Sequence, residues 1–213
     1  MLLENFDDIP TSCRFIVFEG PNGSGKTTVL ERLRAKYHNR IRFTREPGGS
    51  RIGNQIREIL LDPGSKLDPK SELFLILADR AEHVESLRTE SKPIISDRYY
   101  YSTIAFQGSG RELGEEYTAK LCSLAVQGFL PQLVILFDVE PSLGLMRKLK
   151  TGALDRFEQE DIAFHSRVRE SFLRQARELS EMFFLVKTDE LSSDSVYQIC
   201  DRIIARAFFG DYD

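Results

Sequence analysis

The chain has 213 residues, 41% hydrophobic and 29% charged, which suffices for one α/β domain with a sizeable core. A formal charge of −4, with no long Lys/Arg stripe, argues against a general nucleic-acid surface but leaves room for a small cationic pocket. No apolar run is long enough to span a membrane, and Asn5, Asp7, Asp8 and Pro10 interrupt the start too early for a secretory leader.

Read in chain order, the apolar run 15–18 predicts a buried parallel strand, followed by a glycine-rich loop and a helix over 26–37. A short strand is expected at 40–44, a helix at 50–61 stopping near Pro63-Gly64, and a longer helix at 69–90 with Leu73, Leu77, Ala81 and Val84 at core spacing. Another strand covers 93–96. Residues 101–127 read as mostly helical, with a break signalled by Gly108, Gly110 and Gly114. The clearest central strand after the first is 133–137. It precedes a helix at 142–150, a flexible junction at Thr151-Gly152-Ala153, a long amphipathic helix at 158–182, a last strand at 183–186 and a closing helix at 192–209. Repeated strand–helix units predict an α/β fold with a five-stranded parallel sheet, helices on both faces, and the ligand beyond the carboxyl ends of the strands. No linker or repeat divides the chain, so 1–213 is expected to be a single domain.

Gly20-Pro21-Asn22-Gly23-Ser24-Gly25-Lys26-Thr27-Thr28, between a strand and a helix, completes a Walker A pattern. Its glycines let backbone N–H groups converge on phosphates, the helix N-terminus adds partial positive charge, Lys26 reaches the β/γ-phosphates, and the Thr27 hydroxyl suits Mg²⁺. Asp97, at the end of a strand, is the acidic partner expected to hold Mg²⁺, and Arg98 is placed to take an acceptor phosphate bidentately. Thr44-Arg-Glu-Pro-Gly-Gly-Ser50 can turn Arg45 into the cleft. Arg80 sits in a helix whose neighbours are more apolar than a solvated face. The aromatic and hydroxyl run 99–107 suits one wall of a planar-base pocket, and it also suits core packing. Arg147, Lys148, Lys150 and Arg156 bracket a glycine, as a cationic lid at about 147–157 would. Cys13, Cys122 and Cys200 are odd in number and far apart, reading as thiols of a reducing cytoplasm. Neither they nor His38, His83 and His165 show metal-ligand spacing.

Together, Phe18-Glu-Gly20 with Gly25-Lys-Thr-Thr28, Thr44-Arg-Glu-Pro-Gly-Gly49, Ala78-Asp-Arg80, Asp97-Arg-Tyr99 with Ser102 and Phe106-Gln-Gly108, and Leu154-Asp-Arg156-Phe-Glu158 resemble the thymidylate kinase family in its bacterial form. The stretches run in family order over nearly the whole chain. The resemblance implies a P-loop kinase fold with a short lid and a cytoplasmic homodimer that uses ATP and Mg²⁺ to phosphorylate dTMP to dTDP. It places Arg45 and Arg98 at the acceptor phosphate, Arg80 at the thymine or phosphate, Ser102 and Thr103 along the nucleoside pocket with Gln107, and Phe106 beneath the sugar. It gives the catalytic positive charge to the lid set Arg147, Lys148, Lys150 and Arg156, and puts adenine near 187–191.

Two positions depart from the family pattern. Asn22 stands where Asp or Glu is usual, so it can hydrogen-bond but supplies no negative charge. Ile76 stands where a Phe commonly stacks on thymine, and it offers dispersion without a ring's geometry. The alternatives left open are a kinase for another or modified pyrimidine monophosphate, and a nucleotide-binding module with weak transfer activity.

Overall fold

The computed structural model describes residues 6–150 and 152–210. Five parallel strands, β1 (Phe15–Glu19), β2 (Arg42–Arg45), β3 (Ile94–Asp97), β4 (Leu133–Asp138) and β5 (Phe183–Lys187), pair in the order β2-β3-β1-β4-β5. Every residue of β1 and β4 is buried, the pattern of strands covered on both faces. Alternation sends Ile16, Phe18, Ile135 and Phe137 to one face, where Leu33 of α1 (Lys26–Tyr37) and Ile203 and Ile204 of α8 (Ser193–Phe209) complete the core. Phe15 and Val17 point the other way, onto Val84 and Leu87 of α3 (Pro69–Arg88) and Val126 of α5 (Glu115–Val126). Val134 and Leu136 meet Phe164, Val168 and Phe172 of α7 (Ile162–Glu178). This is the expected P-loop kinase fold.

Local chemistry sets the helix starts. Ser50, Asp68, Asp161 and Ser192 each accept a first-turn backbone N–H, opening α2 (Arg51–Leu61), α3, α7 and α8. The Asp161 cap corrects the expectation of a helix from 158: the preceding residues form a turn whose N–H groups go to Asp155. The helix α1 has no side-chain cap, and Gly25 precedes it at φ 89, so its N-terminus is left open to a ligand. The predicted helix at 101–127 splits: α4 (Tyr100–Thr103) runs into a π-helical segment over Ile104–Gly110, and α5 begins only after Gly114. A final helix, α6 (Pro141–Leu149), leads into the expected junction, of which Thr151 lies outside the described residues.

The buried stripe of α3 also differs from the apolar spacing. Ala81 is exposed and Leu77 only half-buried, whereas Glu72, Asp79, Arg80 and His83 are buried beside Leu73, Ile76 and Val84. Arg80 and Ile76 turn to the cleft, while Glu72, Asp79 and His83 meet polar partners from other segments. No helix among the described residues is long and apolar enough to cross a membrane.

Candidate active site

The strand order makes β1 a switch point, with β3 on one side and β4 on the other, and a cavity of about 580 Å³ opens beyond the carboxyl ends of these strands. The loop after β1 lines it from Asn22 to Thr28. Lys26, nearly buried, folds back to donate to the carbonyl oxygens of Gly20 (2.9 Å) and Pro21 (3.3 Å) and to Ser24 Oγ (3.4 Å). Burial, followed by the nearby Arg98 charge, holds its ammonium well below the usual lysine range. The loop also touches α6 backbone to backbone. A Cβ on Gly23 (φ 74) would lie 2.0 Å from the Gly144 carbonyl oxygen, and one on Gly144 would lie 2.5 Å from that of Asn22. Only two glycines permit this crossing.

On the adjacent strand, Phe18 pairs with Asp97, so the residues after β3 emerge beside the loop. Arg98, at φ 68, gives its amide to the Phe18 carbonyl (2.9 Å). Its guanidinium reaches the Gly20 carbonyl (2.8 Å), Ser102 Oγ (3.0 Å) and Asn22 Oδ1 (2.6 Å) and lies 4.8 Å from the Phe106 ring centre. These three oxygens are neutral, and among the described residues no carboxylate makes an ion pair with Arg98. The fully buried Glu19 fixes the same turn: it accepts from the Tyr99 amide (2.9 Å), the Ser102 amide (3.1 Å) and Ser102 Oγ (2.5 Å). Its burial pushes that carboxyl up against the pull of Arg98. Asp97 lines the cavity with Thr27, and its Oδ1 is buried with no hydrogen-bond partner. An unpartnered carboxylate oxygen in a cavity that Thr27 also lines fits a hard divalent cation.

The segment after β2 is tied to α3. Glu46 bridges Arg80 (2.7 Å) and His83 (2.8 Å), His83 meets Thr44 Oγ1 (2.7 Å), and Asp79 accepts the Gly48 amide (3.0 Å). Both ring nitrogens of His83 are thereby used. Arg80 lines the cavity although only 1% exposed; it also donates to the Tyr99 carbonyl (2.9 Å) and contacts Cys122 Sγ (3.5 Å). Arg45 is exposed at the rim, with Asn54 Oδ1 at 3.3 Å. Ile76, Ser102, Thr103, Phe106 and Gln107 line the same space.

The predicted lid cations divide. Arg147 and Lys148 line the cavity: Arg147 reaches the carbonyls of Gly23 (3.4 Å) and Thr188 (3.0 Å), and Lys148 pairs with Glu158 (2.8 Å). Lys150 and Arg156 do not line it. Arg156 is turned down onto Glu72 Oε2 (2.6 Å) and the Leu60 carbonyl (2.9 Å), stitching its segment to α2 and α3. The sequence assigns no role to Arg57, which lines the cavity and donates to the Pro47 carbonyl (2.8 Å), to Glu72, or to Glu19, Glu46 and Asp79, although these last three stand inside the motifs that carry the resemblance. For Arg57 the available signal is its place next to buried Ile56 in α2, one turn before Leu60.

The thymidylate kinase family model matches residues 18–199. A thymidylate kinase of Oleidesulfovibrio alaskensis is 43% identical over 209 residues, covering 91% of this chain and 98% of the relative. One from Lactobacillus acidophilus is 38% identical, covering 90% and 94%. The crystal structure of thymidylate kinase from Ehrlichia chaffeensis superposes with a TM-score of 0.68 at 29% identity, covering 90% of this chain and 99% of that one.

Two predictions follow from the packing around the cavity. Gly144→Ala should raise the KM for the nucleotide donor about tenfold by displacing the Asn22–Gly23 peptide, with the fold retained by circular dichroism; an unchanged KM would show that the crossing is not needed. Burial raises Asp79 to about 6, above its unfolded value, so the native state binds the extra proton and loses stability as pH climbs through this range. Asp79→Asn should therefore gain about 2 kcal/mol relative to the parent between about pH 4.5 and about pH 7.5, read by denaturant unfolding. A pH-independent difference would contradict the assignment.

Proposed function

The chain belongs to the thymidylate kinase family, and on that footing we propose how its cleft phosphorylates dTMP to dTDP, with ATP as donor and Mg²⁺ as the accompanying metal. The loop from Gly20 to Thr28 and the open N-terminus of α1 take the donor phosphates, and Lys26 leaves its carbonyl partners to meet them. Thr27 and Asp97 would hold Mg²⁺, which when bound offsets the negative charge of the donor phosphates. Arg147 lies between the phosphate loop and Thr188, on the side where adenine enters.

The acceptor occupies the other end, against Arg45, Ile76, Arg80, Ser102, Thr103, Phe106 and Gln107. Arg98 carries this reading. Its guanidinium is hydrogen-bonded by neutral oxygens only, so no ion pair has to break for it to meet the phosphate of a monophosphate, with Arg45 and Arg57 beside it. A nucleoside without that phosphate would leave these cations without an anion. The acceptor phosphate is largely ionised at neutral pH, so the chain needs no strong general base: it aligns the two substrates, neutralises charge and excludes water. Asn22 orients Arg98 and hydrogen-bonds the acceptor sugar. Lys148 and Lys150 add charge from the lid at about 147–157, and Arg156 anchors that lid to the acceptor wall.

The protein works as a cytoplasmic homodimer, which the family resemblance supports and to which α3 offers Phe74, 55% exposed. Velocity sedimentation reads the dimer directly.

A phosphotransfer assay with resolved products, offering dTMP, dUMP, dCMP, UMP and thymidine, tests the reading: dTDP should dominate, and preference for another acceptor would overturn it. Arg98→Ala should lower kcat/KM for dTMP by about 10²–10³-fold while the ATP KM moves less than about threefold. Lys26→Ala should depress transfer to every acceptor alike, and retained full activity would refute the phosphate-loop role.

A further inference from the structure

Arg169, in α7, lies outside the cavity, yet its guanidinium gathers both ends of the connection that leads from β4 into α6. Its Nε and Nη2 donate to the Asp138 carboxylate (2.7 and 3.0 Å), and its Nη1 pairs with Glu140. Asp189, next to Thr188, adds a third carboxylate within electrostatic reach. Each arm leads on to the phosphate loop. The Glu140 carbonyl accepts the Gly144 amide (2.9 Å), and the Gly144 carbonyl oxygen would lie 2.0 Å from a Cβ on Gly23. The Asp138 carbonyl accepts the Thr188 amide (2.9 Å) and hydroxyl (3.0 Å). The Thr188 carbonyl in turn accepts from Arg147, whose other amino group returns to the Gly23 carbonyl. Two routes from one side chain end on the same residue of the loop.

The start of α6 depends on this outside hold. Glu140 is its N-cap residue, but the Glu140 side chain makes no capping bond and turns to Arg169 instead. We infer that Arg169 is a positioning residue for the donor half of the site. From outside the cavity it sets the angle at which α6 leaves the sheet, and with it the placement of Gly23 and Arg147 against the donor phosphates. This rests on the reading of the loop from Gly20 to Thr28 as the ATP site. A planar guanidinium suits the task, because it meets one carboxylate bidentately and keeps an N–H for a second. On the acceptor side, Arg80 and Ser102 are held by Glu46 and Glu19, without α6.

The test separates the two substrates. Arg169→Met keeps most of the stem and removes both arms; it should raise the ATP KM about tenfold while the dTMP KM moves less than about threefold. Equal rises in both constants, or a loss of stability with the ATP KM unchanged, would overturn the proposal and leave Arg169 a structural residue. Because Arg169→Met leaves the Asp138 carboxylate unpaired and can fail to fold, Glu140→Ala, at an exposed position, cuts one arm alone. It should raise the ATP KM about threefold, and an unchanged value would count against the clamp. In the double variant it should add nothing to Arg169→Met, whereas full additivity would show that the two residues act separately. Calorimetric titration with an unreactive ATP analogue reads the same shifts without turnover. Failure of the parent to phosphorylate dTMP while it binds that analogue would refute the acceptor reading and leave this test standing; failure to bind the analogue would refute the donor reading beneath it.

Discussion

The amide of Arg98, bonded to the carbonyl of Phe18, is the last rung joining β1 to the chain leaving β3, and the cleft is built outward from it. One strand then continues into the phosphate loop and the other into Asp97, Arg98 and α4, so the groups proposed for the donor and those proposed for the acceptor emerge side by side. Glu19, the last residue of β1, locks the junction by accepting from two amides and a hydroxyl of the neighbouring turn. Burying that carboxylate is costly, and three donors offset the cost. Ser102 passes the constraint on: its hydroxyl donates to Glu19 and accepts from Arg98.

Two further buried glutamates repeat the device along α3. Glu46 holds Arg80 and His83, while Glu72 holds Arg111, Arg156 and Gln107. Such pairs add little net stability over a well-packed apolar core, but breaking one leaves a buried charge and costs about 3–5 kcal/mol. Their value here is geometric: each fixes a side chain near the cavity to a different backbone segment. Arg98 is treated differently. Its hydrogen-bond partners are neutral, which positions the guanidinium without an ion pair. Asn22 contributes to that neutrality, since a carboxylate at the same place would compete with an acceptor phosphate for Arg98.

The fold was legible because its signals are local. Apolar runs mark β1 and β4, and the glycines and Lys26-Thr27 mark the phosphate loop. The cleft was legible where a motif places a residue at a strand end, as for Asp97 and Arg98. On the buried wall of α3 only Arg80 was legible, through neighbours more apolar than a solvated face; Glu72, Asp79 and His83 carry no such signal until their partners, distant in sequence, are known. Arg156 shows the same limit. A basic residue beside a glycine suggests a phosphate-facing lid, but its guanidinium turns to Glu72, 84 positions away in the chain. Helix α7 starts later than its periodicity suggests because Asp161, not the apolar spacing, sets its first turn.

The central claim is that the cations around Arg98 form a seat for a monophosphate. Calorimetric titration of the protein with dTMP and with thymidine measures that seat without depending on turnover. The account predicts that dTMP binds at least about 100-fold more tightly than thymidine, a difference set by charge-assisted hydrogen bonds to the phosphate. Equal affinities would contradict it, because they would place the binding energy in the base and sugar and leave Arg98 without its anion.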